Sequence, residues 1–320
     1  MKGFIVGLIV LGGVCLVGGA AVVAYGMHKG NINDNFVTKE YKFEEDVDDI
    51  KIDVATADVE IKKATENEIK VVCVEKEKVY HITTVADKVL KIEQKDDRRW
   101  YQKYLFNWNW KSMKVTVYLP ETAYNDIKVD SDTGDITFDK DFTFVNMNLS
   151  SDTGAIKVNN KMSGDVEINV HTGGVSLNEV TANSIKVKSS TGDITIKNGE
   201  VTEGIELNSS TGDLELTEVE AKSLKTKAST GHVYLTDMVA SDNIDIKTST
   251  GAVRFERSDS KEIKVETSTG SIKGTLLTSK IFNAKSDTGR VRLPETKDWN
   301  QEGGTFEAKS DTGSIEISIA

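Results

Sequence analysis

The stretch Ile185-Lys-Val-Lys-Ser-Ser-Thr-Gly-Asp-Ile-Thr-Ile196 decides the fold. Apolar side chains at 185 and 187 alternate with lysines, and those at 194 and 196 flank Thr195. A period of two is that of a strand with one face in and one face out. Counted from Thr191, the inward positions are even before it and odd after it, so the chain turns a corner at Thr-Gly and resets its faces. Gly192 suits that corner because it accepts φ > 0 without a Cβ clash.

The same grammar runs along the chain. Thr-Gly recurs at Thr133, Thr153, Thr172, Thr191, Thr211, Thr230, Thr250, Thr269, Thr288 and Thr312, at intervals of 19 or 20 residues except the last, which is 24. Pro294–Gly304 is the insertion that lengthens it. Six and four residues before each Thr, and three and five after it, the side chains are apolar except at Thr226 and Gly274. The residue two before it is usually small, as at Ser131, Ser189, Ser209 and Ala228, which fits a narrow inner corner. Three repeats carry inward apolar spacing on a third side, at Val180 and Ala182, Val219 and Ala221, and Met238 and Ala240.

One such repeat cannot bury its own apolar face, whereas stacked repeats can. The prediction is an all-β, single-stranded parallel β-solenoid of about eleven rungs, on the order of 50 Å long at about 4.8 Å per rung. A series of β-hairpins is the competing arrangement; regular, patterned linkers of about eight residues between repeats argue against it. Around Thr56 the grammar appears once more, with Ile50, Ile52, Val59 and Ile61 at the same offsets and Ala57 replacing Gly. Residues 66–95 and 112–119 read as longer alternating strands that cap one open end of the core. The organisation predicted is an anchor at 1–30, a first rung and cap at 31–122, and a solenoid at 123–320.

Composition bounds the function. The 320 residues carry a net charge of −11, which excludes a nucleic-acid stripe and a polybasic grip on anionic lipid. Only two prolines, Pro120 and Pro294, interrupt the chain, as suits backbone held in ladders. Two cysteines, Cys15 and Cys73, make no disulfide framework, and Cys73 reads as a small buried hydrophobe. From Gly3 to Gly26 no residue is charged; these 24 residues suffice to cross a hydrocarbon core as a helix. The lipid bilayer is thus an expected partner through residues 3–26. A single-pass protein of the cell membrane is expected, N-terminus inside and β domain extracytoplasmic; Val22-Val23-Ala24 leaves cleavage open.

Three passages resemble a known family: Ile50-Lys-Ile-Asp-Val-Ala-Thr-Ala-Asp-Val-Glu-Ile61, Val115-Thr-Val-Tyr-Leu-Pro120 and Ser189-Ser-Thr-Gly-Asp-Ile194. Together they resemble the bacterial β-strand-repeat "putative adhesin" family, a domain of unknown function that includes LiaG-like envelope proteins and toast-rack-type domains. The resemblance covers roughly residues 40–320. It implies a bacterial envelope protein with a right-handed β-helix, and it implies no reaction, ligand, cofactor or catalytic residue.

Asp311-Thr-Gly-Ser314 spells an aspartic-protease signature, with similar triplets at Asp132, Asp152 and Asp287. That chemistry needs two facing carboxylates sharing a proton, and here Asp alternates with Ser and His at one repeat position. Asp132, Asp135 and Asp152 could hold Ca²⁺, but they read chiefly as solvated outward carboxylates; no metal, cofactor or catalytic residue is predicted. The arginines Arg254, Arg257, Arg290 and Arg292 lack a defined acid and base, and the four histidines lack ligand spacing. The segment Trp100–Trp110 is rich in aromatics, and Trp100, Tyr104, Trp108 and Trp110 are candidates for contact with a glycan or protein, or for a plug in the solenoid end. The expectation is a non-enzymatic, membrane-anchored scaffold that binds an envelope protein or glycan. Alternatives are a partner in an envelope-stress response and a carbohydrate-active β-helix enzyme. Self-association is expected through an unpaired edge rung left where the chain ends at Ala320.

Overall fold

A computed structural model describes residues 36–98, 112–140, 142–295 and 303–320. All regular structure in them is β, and no helix among them is long and apolar enough to cross a membrane. The predicted anchor at 3–26 lies outside the described residues. The chain divides into two compact units, Met1–Val145 and Asn146–Ala320.

In the first unit, the strand Asp49–Lys63 is the predicted first rung. Its inward side chains run Ile50, Ile52, Val54, then Ala57, Val59, Ile61, so the parity flips at Thr56. The strand Ala123–Thr133 lies parallel to its first half, with Ile50 opposite Ile127 and Thr56 opposite Thr133. Ile136–Phe138 continues along its second half. On the opposite edge, Val89–Asp96 and Met113–Leu119 pair parallel with the two halves. Antiparallel strands then close the cap: Ile69–Lys76 against Met113–Leu119, Phe36–Phe43 against Ile69–Lys76, and Val79–Ala86 against Val89–Asp96. Phenylalanines pack inside this unit, Phe144 lying 6.0 Å from Phe138 and 5.7 Å from Tyr124 between ring centres.

In the second unit the Thr-Gly corners stack in register. Thr153 lies opposite Thr172, then Thr191, Thr211, Thr230, Thr250 and Thr269 follow. Every pairing among these strands is parallel, which rules out the hairpin series. Gly212 shows why the corner needs glycine: φ is +143°, and a Cβ would sit 2.2 Å from the Gly192 carbonyl oxygen. Gly274, one of two breaks in the apolar pattern, is a close approach of the same kind; a Cβ there would meet the Phe255 carbonyl oxygen at 1.9 Å.

A second corner follows seven residues after the threonine, where Glu179, Asn198, Glu218, Asp237 and Arg257 all take φ between 46° and 54°. Left-handed backbone costs a non-glycine residue about 1–2 kcal/mol, so stacking across rungs must hold it. Asn198 Nδ2 donates to Asn178 Oδ1 at 3.1 Å, and Arg257 Nε donates to Asp237 Oδ1 at 2.8 Å. Register shifts at Val201/Gly204, Ala221/Ser223 and Ala240/Asn243 make the third corner. The third side is apolar inside, with Val180, Val219 and Met238 fully buried.

The end of the stack corrects one expectation. The strand Thr305–Thr312 pairs with the rung ending at Thr269 on one side and with Ile281–Thr288 on the other. The terminal strand Ile315–Ile319 likewise lies between Ile272–Leu276 and Val291–Arg292. The chain therefore leaves the stack after Leu276, forms the outer rung first, and returns to fill the gap. Lys280, buried at the crossing, pairs with the Asp259 carboxylate and donates to Thr278 Oγ1 and to the Gly303 carbonyl. The last strand of the chain is thus not the edge. The side chains of Ile281 and Val291, on the outer rung, are exposed.

Candidate functional site: a groove along the Thr-Gly corner

The residue two before each Thr points inward, and its neighbours on either side point out. Ser151, Ser189, Ser209, Ala228, Thr248, Thr267 and Ser310 in this row are buried. Their small size has a second cause beside the tight bend. Ser310 Oγ donates to the Gly270 carbonyl at 2.9 Å, Thr267 Oγ1 to Gly251 at 3.1 Å, and Ser286 Oγ to Gly313 at 2.7 Å. In these rungs the hydroxyl satisfies the corner carbonyl of the adjacent rung, whereas Ser151, Ser189 and Ser209 Oγ are buried with no partner among the described residues.

Outside that row lies a groove of about 870 Å³ that runs from the rung of Thr153 to the rung of Thr312. The seven steps between its eight rungs, at about 4.8 Å each, give it a length of about 34 Å. One wall, three before each Thr, carries Lys188, Lys227, Lys247 and Lys309 among Ser150, Asn169, Asn208 and Glu266. The other wall, one before each Thr, is five successive serines, Ser190, Ser210, Ser229, Ser249 and Ser268, bounded by Asp152 and His171 at one end and Asp311 at the other.

The charges are unevenly matched. Lys247 lies 3.1 Å from Glu266, and Lys309 lies 3.4 Å from Asp311. Hydrogen bonds from Lys247 and Lys264 hold the Glu266 carboxyl below its ordinary range. Lys188 and Lys227, in the middle of the groove, have no carboxylate within ion-pair distance among the described residues. The centre is therefore cationic and rich in hydroxyls. It can donate and accept hydrogen bonds along an extended chain. A lowered carboxyl is the reverse of the raised one that a glycosidase proton donor needs.

The predicted sites fall out as follows. Trp100, Tyr104, Trp108 and Trp110 lie outside the described residues. Asp132 and Asp135 are exposed in the first unit, where the Asp135 amide donates to Asp58 Oδ1 at 3.1 Å. Asp152 is exposed at the end of the groove. Asp287 and Asp311 stand on adjacent rungs, but each pairs with a lysine of its own strand, Lys285 at 2.8 Å and Lys309 at 3.4 Å. Lys285 holds the Asp287 carboxyl below its ordinary range, the reverse of what one member of a proton-sharing dyad needs.

Sequence reasoning missed one constellation. Cys73 and Glu75 share the inward face of Ile69–Lys76, and His81 faces them from Val79–Ala86, the next strand of the hairpin. All three are at most 1% exposed. Burial, then the Glu75 charge, pushes the Cys73 thiol up to about 12. The available signal was Glu75, an acidic residue at an inward position of an otherwise apolar alternation.

Parallel rungs, a built-in corner groove and a capped first rung define a β-solenoid repeat protein. The family model described as Toastrack DUF4097 matches residues 47–217 and 200–320, and the chain belongs to that family. Among solved structures, a "putative adhesin" from Parabacteroides distasonis ATCC 8503 is 16% identical, with a TM-score of 0.52 over 76% of this chain and 98% of that one. A "putative adhesin" from Bacteroides fragilis NCTC 9343 is 15% identical, with a TM-score of 0.47 over 89% and 98% of the two chains. A "putative lipid binding protein" from Parabacteroides distasonis ATCC 8503 is 16% identical, with a TM-score of 0.49 over 75% and 97%. A search of curated proteins finds no match.

Proposed function

We propose that this chain is a non-enzymatic, membrane-anchored protein of the cell envelope. It displays a right-handed β-helix whose corner groove binds an extended, hydroxyl-rich polymer such as an envelope glycan. The observation that carries this reading is the centre of the groove: Lys188 and Lys227 without carboxylate partners, facing a continuous row of serines. A row of identical donors at a fixed spacing suits a polymer of repeating units better than a compact small molecule. The uncharged run at 3–26 supports the anchor. The name of the Parabacteroides distasonis structure at a TM-score of 0.52, a "putative adhesin", favours binding over catalysis. In this reading, self-association runs through the outer strand Ile281–Thr288 rather than through the C-terminal strand.

The test is binding of the full-length chain, in detergent, to a panel of neutral and anionic envelope glycans. Lys188→Glu with Lys227→Glu should weaken the bound glycan by at least ~10-fold, about 1.4 kcal/mol. Equal binding by the wild type and the folded double variant would remove the groove from the account.

A further inference from the structure

The cap of the first unit holds a second cluster, unrelated to the groove. The Cys73 thiol, a Glu75 carboxylate oxygen and a His81 ring nitrogen all lie within 4.8 Å of one another. The three are contributed by two strands of one hairpin, whose tight pairing at Lys76 and Val79 fixes their separation.

The hydrogen bonds around them are incomplete in an informative way. Glu75 Oε2 accepts from the His81 amide at 2.7 Å and faces His81 Nδ1 at 3.2 Å. Its other oxygen, Oε1, pairs with Lys39. His81 Nε2 is buried without a hydrogen-bond partner among the described residues, which leaves the Glu75 carboxylate at Nδ1 as the polar neighbour of the ring. Two ligand atoms facing each other at 3.2 Å stand at the separation of neighbouring ligands on one tetrahedral ion, so an ion seated between them would be held by His81 Nδ1 and Glu75 Oε2 together. An inward carboxylate, thiol and imidazole are also a costly set to gather in an apolar interior without a common partner.

We propose that Cys73, Glu75 and His81 form a binding site for a divalent cation of borderline softness, Zn²⁺ above all. Nitrogen, thiolate and carboxylate ligands are the donor set of that ion, and in a tetrahedral site they stand about 3.3–3.8 Å apart, at bond lengths of about 2.0–2.3 Å. The present cluster, within 4.8 Å, has to close by about 1 Å to reach that spacing. Binding replaces the thiol proton: the S–H bond breaks, a sulfur–metal bond forms, and the proton leaves to solvent. The thiolate and the carboxylate then balance the two positive charges of the ion. Lys39, whose side chain is 35% exposed, covers Glu75 and is the group that must swing out to admit the ion. The bound ion would tie the hairpin together and clamp the cap over the first rung.

The experiment uses the full-length chain in detergent, stripped with a chelator under reducing conditions. Titration with Co²⁺ reports a thiolate ligand through its charge-transfer absorption, and competition with a chromophoric chelator reports Zn²⁺ affinity. The expected result is one tight site per chain, a thiolate band on Co²⁺, and a raised melting temperature with Zn²⁺. Cys73→Val keeps a buried apolar side chain of similar size; it should stay folded by circular dichroism and lose both the band and at least ~100-fold in affinity. His81→Gln should weaken binding at least ~10-fold. Absence of a thiolate band in the wild type, or equal Zn²⁺ affinity in the folded Cys73→Val variant, overturns the proposal.

Discussion

The Gly270 amide donates to the Thr312 carbonyl at 2.9 Å, and the Gly313 amide to the Thr288 carbonyl at the same distance. The last rung of the sequence is therefore the second-to-last in space. The swap makes a sharp prediction. Phe306 is fully buried, 6.2 Å from Phe255 and 5.7 Å from Phe282 between ring centres. Phe306→Ala should cost about 3–5 kcal/mol. Phe282→Ala, on the outer rung, should cost less than half as much. Chemical denaturation of both variants checks the order; a larger loss at Phe282 would restore the sequential arrangement.

The two kinds of corner should respond oppositely to glycine chemistry. Gly212→Ala places a Cβ 2.2 Å from backbone at a φ of +143° and should destabilise by at least about 3 kcal/mol. Glu218, exposed at a φ of 54°, is the reverse case. Glu218→Gly should stabilise by about 1 kcal/mol, read as a rise in melting temperature.

Legibility divided along a physical line. The apolar offsets around Thr-Gly and the first rung at Thr56 were readable because strand periodicity writes each face directly into the sequence. The second corner was not, because Glu179, Asn198, Glu218, Asp237 and Arg257 share a backbone conformation and no side-chain chemistry. Rung order was not readable either: Phe282 and Phe306 occupy the same offset in equivalent repeats, and nothing local says which sits outside. The groove was present as outward lysines and serines, but only the stack brings residues 20 apart into one wall. Cys73, Glu75 and His81 meet across a hairpin, beyond the reach of single-strand spacing.

The hydroxyl row supplies a graded test of the corner carbonyls. Ser310 Oγ bonds Gly270, so Ser310→Ala should cost about 1–2 kcal/mol. Ser209 Oγ is buried with no partner among the described residues, so Ser209→Ala should be neutral or slightly stabilising. Paired thermal melts distinguish the two; equal losses would mean that the row acts through size alone.

Glu266 sets the charge of the groove beside Lys247. Its carboxyl pKa is lowered by Lys247 and Lys264 from an ordinary 4.5, so the pairing stabilises the fold above that value and fades as pH falls through the lowered one. Both partners are substantially exposed, so the effect on stability is small. The effect on binding is the useful one: Glu266→Gln frees Lys247 and should raise affinity for an anionic glycan by about 2- to 5-fold at neutral pH, with a steeper salt dependence. Calorimetric titration at two ionic strengths reads both.

The most direct test of the proposed function is the dependence of affinity on oligosaccharide length. A groove that repeats its donors over eight rungs predicts affinity that climbs with each added unit and levels off when the chain spans about 34 Å. The climb should be lost in the Lys188→Glu, Lys227→Glu variant. Affinity already maximal for a mono- or disaccharide, or a length dependence unchanged in that variant, would contradict the account.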